Sequence, residues 1–273
     1  MKSKILNFGR DLFYRYPSLQ PLLMWGKSIF FSKAKFYGWG MSTQAVLPWI
    51  DDDGKVFRET SYSIKKFHFN RRLYGIDKDS VDSLLWRHWI VVTAVRYSIK
   101  ISNQNHHNFV ECGVGEGLTA YFSLEEIKKF NKIENFSMHL YDAWGTMKKD
   151  QLNKKESYVK NLEELDIKTA KNNLAEYNEY IVYHEGYIPE SLHVKPDSPD
   201  LVSYLHIDLN AAKPTIDALD FFYPRLLKGG VILFDDYGSE TYDETMIAIN
   251  KFFRDKPGII FKFPTGQAAY FHH

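Results

Sequence analysis

From residue 108 onward the chain alternates short apolar runs with longer helical stretches, and each of the first five runs has an acid at or just past its end. The runs cover residues 108–112, 138–141, 180–183, 201–207 and 231–234, and the acids are Glu111, Asp142, Glu185, Asp208 and the pair Asp235 and Asp236. Between them lie segments of helical spacing, such as Leu162, Leu165, Ile167, Ala170 and Leu174, then 215–222 and 240–253. Strands separated by helices pair in parallel, because a parallel neighbour needs a crossover. Right-handed crossovers then bring the carboxyl ends of the strands to one edge of an open sheet, which is where such sheets bind ligands. The pattern therefore predicts a doubly wound, mostly parallel α/β sheet with its acids gathered at one mouth. The closing runs 259–263 and 268–271 predict a terminal hairpin.

Residues 1–78 differ in character. They are rich in aromatics, including Phe8, Tyr14, Trp25, Phe30 and Trp39, and carry mostly positive charge up to residue 40. They are expected to form a helical or irregular cap on a domain spanning 79–273, and the cap is the natural place for contacts between copies in a homo-oligomer. Asp51-Asp52-Asp53-Gly54 lacks the later ligands of a calcium loop and reads as a solvated turn. A helix follows from Asp79 or Ser80, with Val81, Leu84, Leu85, Trp89, Val92 and Val95 on its apolar positions.

Composition narrows the function classes. Lys plus Arg number 35 against 34 Asp plus Glu, a formal charge of +1 that offers no field for nucleic acid. The one cysteine, Cys112, excludes an intrachain disulfide and a cysteine zinc cage. With no apolar run long enough for a membrane span, the expected location is cytoplasmic.

The loop after the first run discriminates between cofactors. A dinucleotide site needs G-x-G-x-x-G, but the glycines here are Gly113, Gly115 and Gly117, with Leu118 where the last would fall. An acid followed by G-x-G-x-G suits S-adenosylmethionine instead: the glycines admit its methionine end, and Glu111 can hold the ammonium directly or through water. Asp142 offers two acceptor oxygens to a ribose diol. If the strands that end at Asp208 and at Asp235 are neighbours, the three acids Asp208, Asp235 and Asp236 converge and would repel unless protonated or bridged by a cation, magnesium by default. His206 reads as a hydrogen-bonded core histidine and His184 as a neighbour of the adenine edge. The alternatives are a nicotinamide-dependent oxidoreductase, or a non-catalytic S-adenosylmethionine-binding module docked through its N-terminal arm to a membrane or an assembly.

Five segments resemble the macrocin and mycinamicin O-methyltransferases, which methylate deoxysugar hydroxyls. They are 110–119, 141–145, 185–192, 206–215 and 222–238, with 264–267 similar to that family's last hairpin. The resemblance implies a Rossmann-like class I methyltransferase fold, a magnesium ion held by Asp208, Asp235 and Asp236, and Asp208 as the catalytic acid. It also implies an S-adenosylmethionine site built from Glu111, Gly113, Gly115, Gly117, Thr119, Asp142, Glu185 and Gly186. The acceptor is then a sugar or another small molecule bearing a hydroxyl. Where the family usually has a second acid and a tyrosine after the first aspartate, this chain has Asn210 and Ala212.

Overall fold

The computed structural model describes residues 47–66, 81, 84–152, 165–239 and 242–273. Those from Pro48 onward form one compact unit. Residues 1–46 and 67–80, which hold most of the expected cap and the Asp79 or Ser80 helix start, lie outside the described residues, as do Leu162 and Glu240.

Helix α1 (Lys55–Lys66) follows a tight turn in which Asp51 Oδ1 accepts from the Gly54 amide at 3.1 Å. Phe57, Thr60 and Ile64 recur at helical spacing and are buried. Phe57 and Ile64 dock on Val92 of α2 (Leu85–Ser102) and on Leu118 and Phe122 of α3 (Leu118–Glu125). Helix α2 is expected to have one apolar face, but it is buried on two. Val91, Ala94 and Val95 join the core cluster on the sheet, whereas Val92 turns toward α1.

The sheet holds β1 (His107–Cys112), β2 (Phe136–Asp142), β3 (Ile181–Glu185), β4 (Val202–Ile207), β5 (Leu226–Phe234), β6 (Ile260–Lys262) and β7 (Ala268–Phe271). Their order is β3-β2-β1-β4-β5-β7-β6, parallel throughout except that β7 runs antiparallel to both β5 and β6. This is the doubly wound sheet with a terminal hairpin that the sequence predicts.

Central strands are buried on both faces, which is why their sequences read as continuous apolar runs rather than alternating ones. On one face Phe109, Met138, Leu140, Tyr204 and Leu233 pack with α2, α3 and α4 (Ile167–Asn173). On the other, Val110, Cys112, Leu205, Ile207 and Ile232 pack against α5 (Ala212–Phe222) and Ile249 of α6 (Asp243–Phe252). Strand β5 begins at Leu226, ahead of the expected start at 231. Its glycine pair is a local irregularity inside the strand: Gly229 has φ +81°, its amide donates to the His272 carbonyl at 2.8 Å, and the β4 register shifts alongside. None of the helices among the described residues is long and apolar enough to cross a membrane.

Candidate active site

The order of the strands reverses between β1 and β4, and the loops leaving these two strands meet there. Cys112 of β1 pairs with Ile207 of β4, and the Asp208 amide donates to the Cys112 carbonyl at 2.8 Å. Gly113, at φ +88°, has no room for a side chain: a Cβ there would stand 1.9 Å from the Asp208 carbonyl oxygen. Gly115, at φ +55°, is different, since the nearest atom to its Cβ position is Leu165 Cδ2 at 3.9 Å. Gly117 serves packing, with Leu174, which follows the Ile167–Asn173 helix, within 2.9 Å of where its Cβ would lie.

The loop is tied to the end of β2. Asp142 Oδ2 accepts from the Val114 and Gly115 amides at 2.7 and 2.8 Å, and its Oδ1 accepts from the Trp144 amide at 2.7 Å. The Trp144 indole donates to the Gly115 carbonyl at 2.8 Å. Burial raises the Asp142 carboxyl above its usual range while these amides oppose the rise.

Across the switch point, Asp208, Asp235 and Asp236 each present an oxygen, and the three oxygens lie within 4.8 Å of one another. Burial first, then Asp235 and Asp236, push the Asp208 carboxyl well up; burial and Asp235 bring Asp236 to about 7. Asp235 goes the other way. Burial would raise it, but His206 and the Arg87 guanidinium hold its carboxyl below the usual range. Arg87 of α2 pairs with Asp235 Oδ2 and donates to the Asp235 and Thr265 carbonyls at 2.8 and 2.9 Å. Gln267 Nε2 donates to Asp235 Oδ1 at 2.7 Å.

Loop and acids line one cavity of about 470 Å³. Of the residues expected to hold a cofactor, Gly113, Gly115, Thr119, Asp142 and Gly186 line it, together with all three aspartates. Glu111, Gly117 and Glu185 do not. Glu111 is buried beneath the start of α3, and that burial, with Asp235 and Asp142 adding to it against His206, pushes its carboxyl up to about 8. The Glu185 side chain is exposed. His206 is buried between Glu111 and Asp235, with its ring nitrogens 3.9 and 3.6 Å from their oxygens, too far for hydrogen bonds. His184, expected beside the adenine edge, does not line the cavity. It stacks on Tyr141 at 3.9 Å between ring centres, and its Nε2 lies 3.0 Å from His139 Nδ1.

Residues 110–237 match the family described as a methyltransferase domain. The chain is similar in structure to the O-methyltransferase NovP, with 16% identity and a TM-score of 0.59 over 69% of this chain and 80% of that one. It is also similar to CalS11, a calicheamicin methyltransferase, with 15% identity and a TM-score of 0.54 over 86% and 98% of the two chains. A second CalS11 structure, described as a TDP-rhamnose 3'-O-methyltransferase, is 16% identical with a TM-score of 0.50 over 78% and 93%. At this level of identity the likeness is one of fold. None of the curated proteins matches the sequence.

Two residues of the cavity escape a reading of strand ends. Arg87 sits on α2 among apolar positions, between Leu84 and Val91, and the helical spacing does signal that this face turns inward. Gln267 lies in the last hairpin, and nothing local in its sequence links it to Asp235.

Proposed function

We propose that this methyltransferase uses S-adenosylmethionine to methylate a hydroxyl oxygen, that the acceptor is a sugar or similar small molecule, and that Asp208, Asp235 and Asp236 hold a divalent cation. The observation that carries this reading is the single cavity lined at once by the glycine loop and by the three aspartates, which meet where Gly113 packs against Asp208.

The residues present fit both groups. On the donor side the open space at Gly115 leaves room for a ligand to approach the backbone. On the acid side Asp236 Oδ2 is buried without a partner, so it has an acceptor oxygen to give. Three carboxylates and the Arg87 guanidinium carry a net charge of about −2 when all are ionised, which a divalent ion neutralises. An all-oxygen set selects a hard ion such as magnesium. When bound, that ion supplies Lewis acidity that lowers the pKa of a nearby hydroxyl.

The chain's own residues do the rest. His206 and Arg87 keep Asp235 ionised, and Arg87 and Gln267 keep it oriented. Asp208, between the loop and the other acids, is the catalytic carboxylate that orients the acceptor oxygen. Val91 and Leu118 give the cavity an apolar wall that limits water near a sulfonium. A sugar acceptor is supported by the five segments that resemble the macrolide sugar methyltransferases, and the rhamnose-modifying CalS11 shares the fold.

The test is isothermal titration of the protein with S-adenosylhomocysteine, with and without magnesium, with NAD as the control ligand. Binding of S-adenosylhomocysteine and not of NAD is the expected result, and sugar acceptors are then screened for methyl transfer. Binding of NAD alone would replace the donor with a nicotinamide.

A further inference from the structure

Asp142 has the acceptor capacity of any carboxylate, two oxygens with about four lone-pair positions. Three are used within the protein, where Oδ2 takes the Val114 and Gly115 amides and Oδ1 takes the Trp144 amide, and the Ala143 amide also favours the carboxylate. A vicinal diol needs two acceptor positions, and at most one remains. Asp142 can meet both hydroxyls of a ribose only by releasing an amide of the loop.

That loop has other ties, but none to the Val114 or Gly115 amides. Its Gly113 amide donates to the Tyr141 carbonyl at 2.8 Å, its Gly115 carbonyl accepts the Trp144 indole, its Glu116 carbonyl accepts from Asn173 Nδ2 at 2.9 Å, and Gly117 closes back on Val114 at 2.9 Å. Gly113, Gly115 and Gly117 all have positive φ, a conformation that glycine reaches freely and just as freely leaves. Without the Asp142 carboxylate, the Val114 and Gly115 amides lose the acceptor that holds them in one arrangement.

We propose that Asp142 is a positioning residue: its carboxylate holds the Val114 and Gly115 amides so that the loop is already shaped for the donor, and this preorganisation, not recognition of the ribose diol, is its contribution to donor affinity. The proposal rests on the reading of this cavity as the S-adenosylmethionine site. It reassigns the role usually inferred for an acid at the end of a second strand, and it makes the glycine loop dependent on one side chain of the neighbouring strand.

Two measurements test it. The first uses the unsubstituted protein and follows amide hydrogen exchange at Val114 and Gly115 by NMR, before and after addition of S-adenosylhomocysteine. Both amides are expected to be protected in the free protein and to stay protected when the ligand is bound; loss of protection on binding would show that the carboxylate leaves the loop for the ribose and would overturn the proposal.

The second compares S-adenosylhomocysteine with its 2'-deoxy and 3'-deoxy analogues on the natural protein and on Asp142→Asn, in a double-difference cycle. The variant is expected to weaken all three ligands on the order of tenfold or more, with the penalty for removing a hydroxyl unchanged within about twofold. A deoxy penalty that vanishes in the variant would place the diol on Asp142 and end the proposal. Faster exchange at Val114 and Gly115 in the free variant is the accompanying signature, and unchanged exchange there would count against the clamp. If S-adenosylhomocysteine fails to bind the natural protein at all, the donor assignment falls, and exchange in the free protein and variant still decides whether Asp142 clamps the loop.

Discussion

Asp236 keeps one oxygen, Oδ2, buried and without a partner beside two other carboxylates, and a side chain left this way is the residue most sensitive to a loss of charge. Asp208→Asn and Asp236→Asn preserve shape and remove that charge. Each is expected to lower methyl transfer more than about 100-fold while leaving S-adenosylhomocysteine affinity within about threefold, because on the proposed function the acids serve the acceptor and not the donor. Parallel kinetics and titration check this, and equal loss in both would dissolve the division of labour. These acids were legible in the sequence because each stands where a strand ends. Glu111 and Glu185 obey the same rule and yet miss the cavity: Glu111 precedes the last residue of β1 and points into the interior, and the Glu185 side chain is exposed. The rule locates a backbone position and says nothing of the direction a side chain takes. Arg87 was hidden for a different reason, since its partner Asp235 is remote in the chain.

Among the elements, the turn between β1 and α3 is the least tolerant of change. Gly113→Ala would set a methyl group against the Asp208 carbonyl in a backbone conformation that alanine disfavours. Donor binding is expected to fall on the order of 100-fold, with destabilisation of about 1–3 kcal/mol. Titration and thermal melting together check both parts. Gly115→Ala, with open space at its Cβ, is expected to melt within a few degrees of the natural protein even where donor binding suffers. Phe57 is 1% exposed, so Phe57→Ala should cost about 3–5 kcal/mol by emptying the seam between α1, α2 and α3. Strand and helix identities were readable from apolar period. The start of β5 was not, because a glycine pair looks the same in a turn and in an irregular strand.

For the molecule as a whole, the response to acid is divided between a buried histidine pair in the sheet and the carboxyls held up at the cavity. His139 and His184 are buried against each other, and burial lowers them to about 3 and about 4, with His184 adding to the shift of His139. Their unfolded counterparts titrate near the ordinary 6.5. Below that pH the unfolded histidines take up protons that the folded pair refuses, so the pair's contribution to stability falls from about pH 6.5 down toward pH 4, while Glu111 and Asp236, whose raised carboxyls bind protons first in the folded chain, contribute in the opposite direction. His184→Phe keeps a ring on Tyr141 and is expected to remove roughly half of this histidine-borne slope. Denaturant melts between pH 4.5 and 7.5 measure it, and an unaltered slope would shift the cause to other groups. The mostly parallel sheet with its terminal hairpin was readable from the alternation of runs. The histidine pair was not, since it depends on the register of β2 against β3, where Tyr141 stands opposite His184.

Gly113 and Asp208 touch across two adjacent strands whose sequences are separated by β2, β3 and the helices between them. Neither half of the cavity therefore has a wall until the chain has closed that long loop, and a chain that stops short of β4 would present a glycine turn with nothing to rest on. Ligand then recognises the finished sheet alone. Its binding should raise the barrier to global opening and leave the fraying of peripheral turns untouched, so that occupancy itself becomes a reporter of whether the sheet has closed.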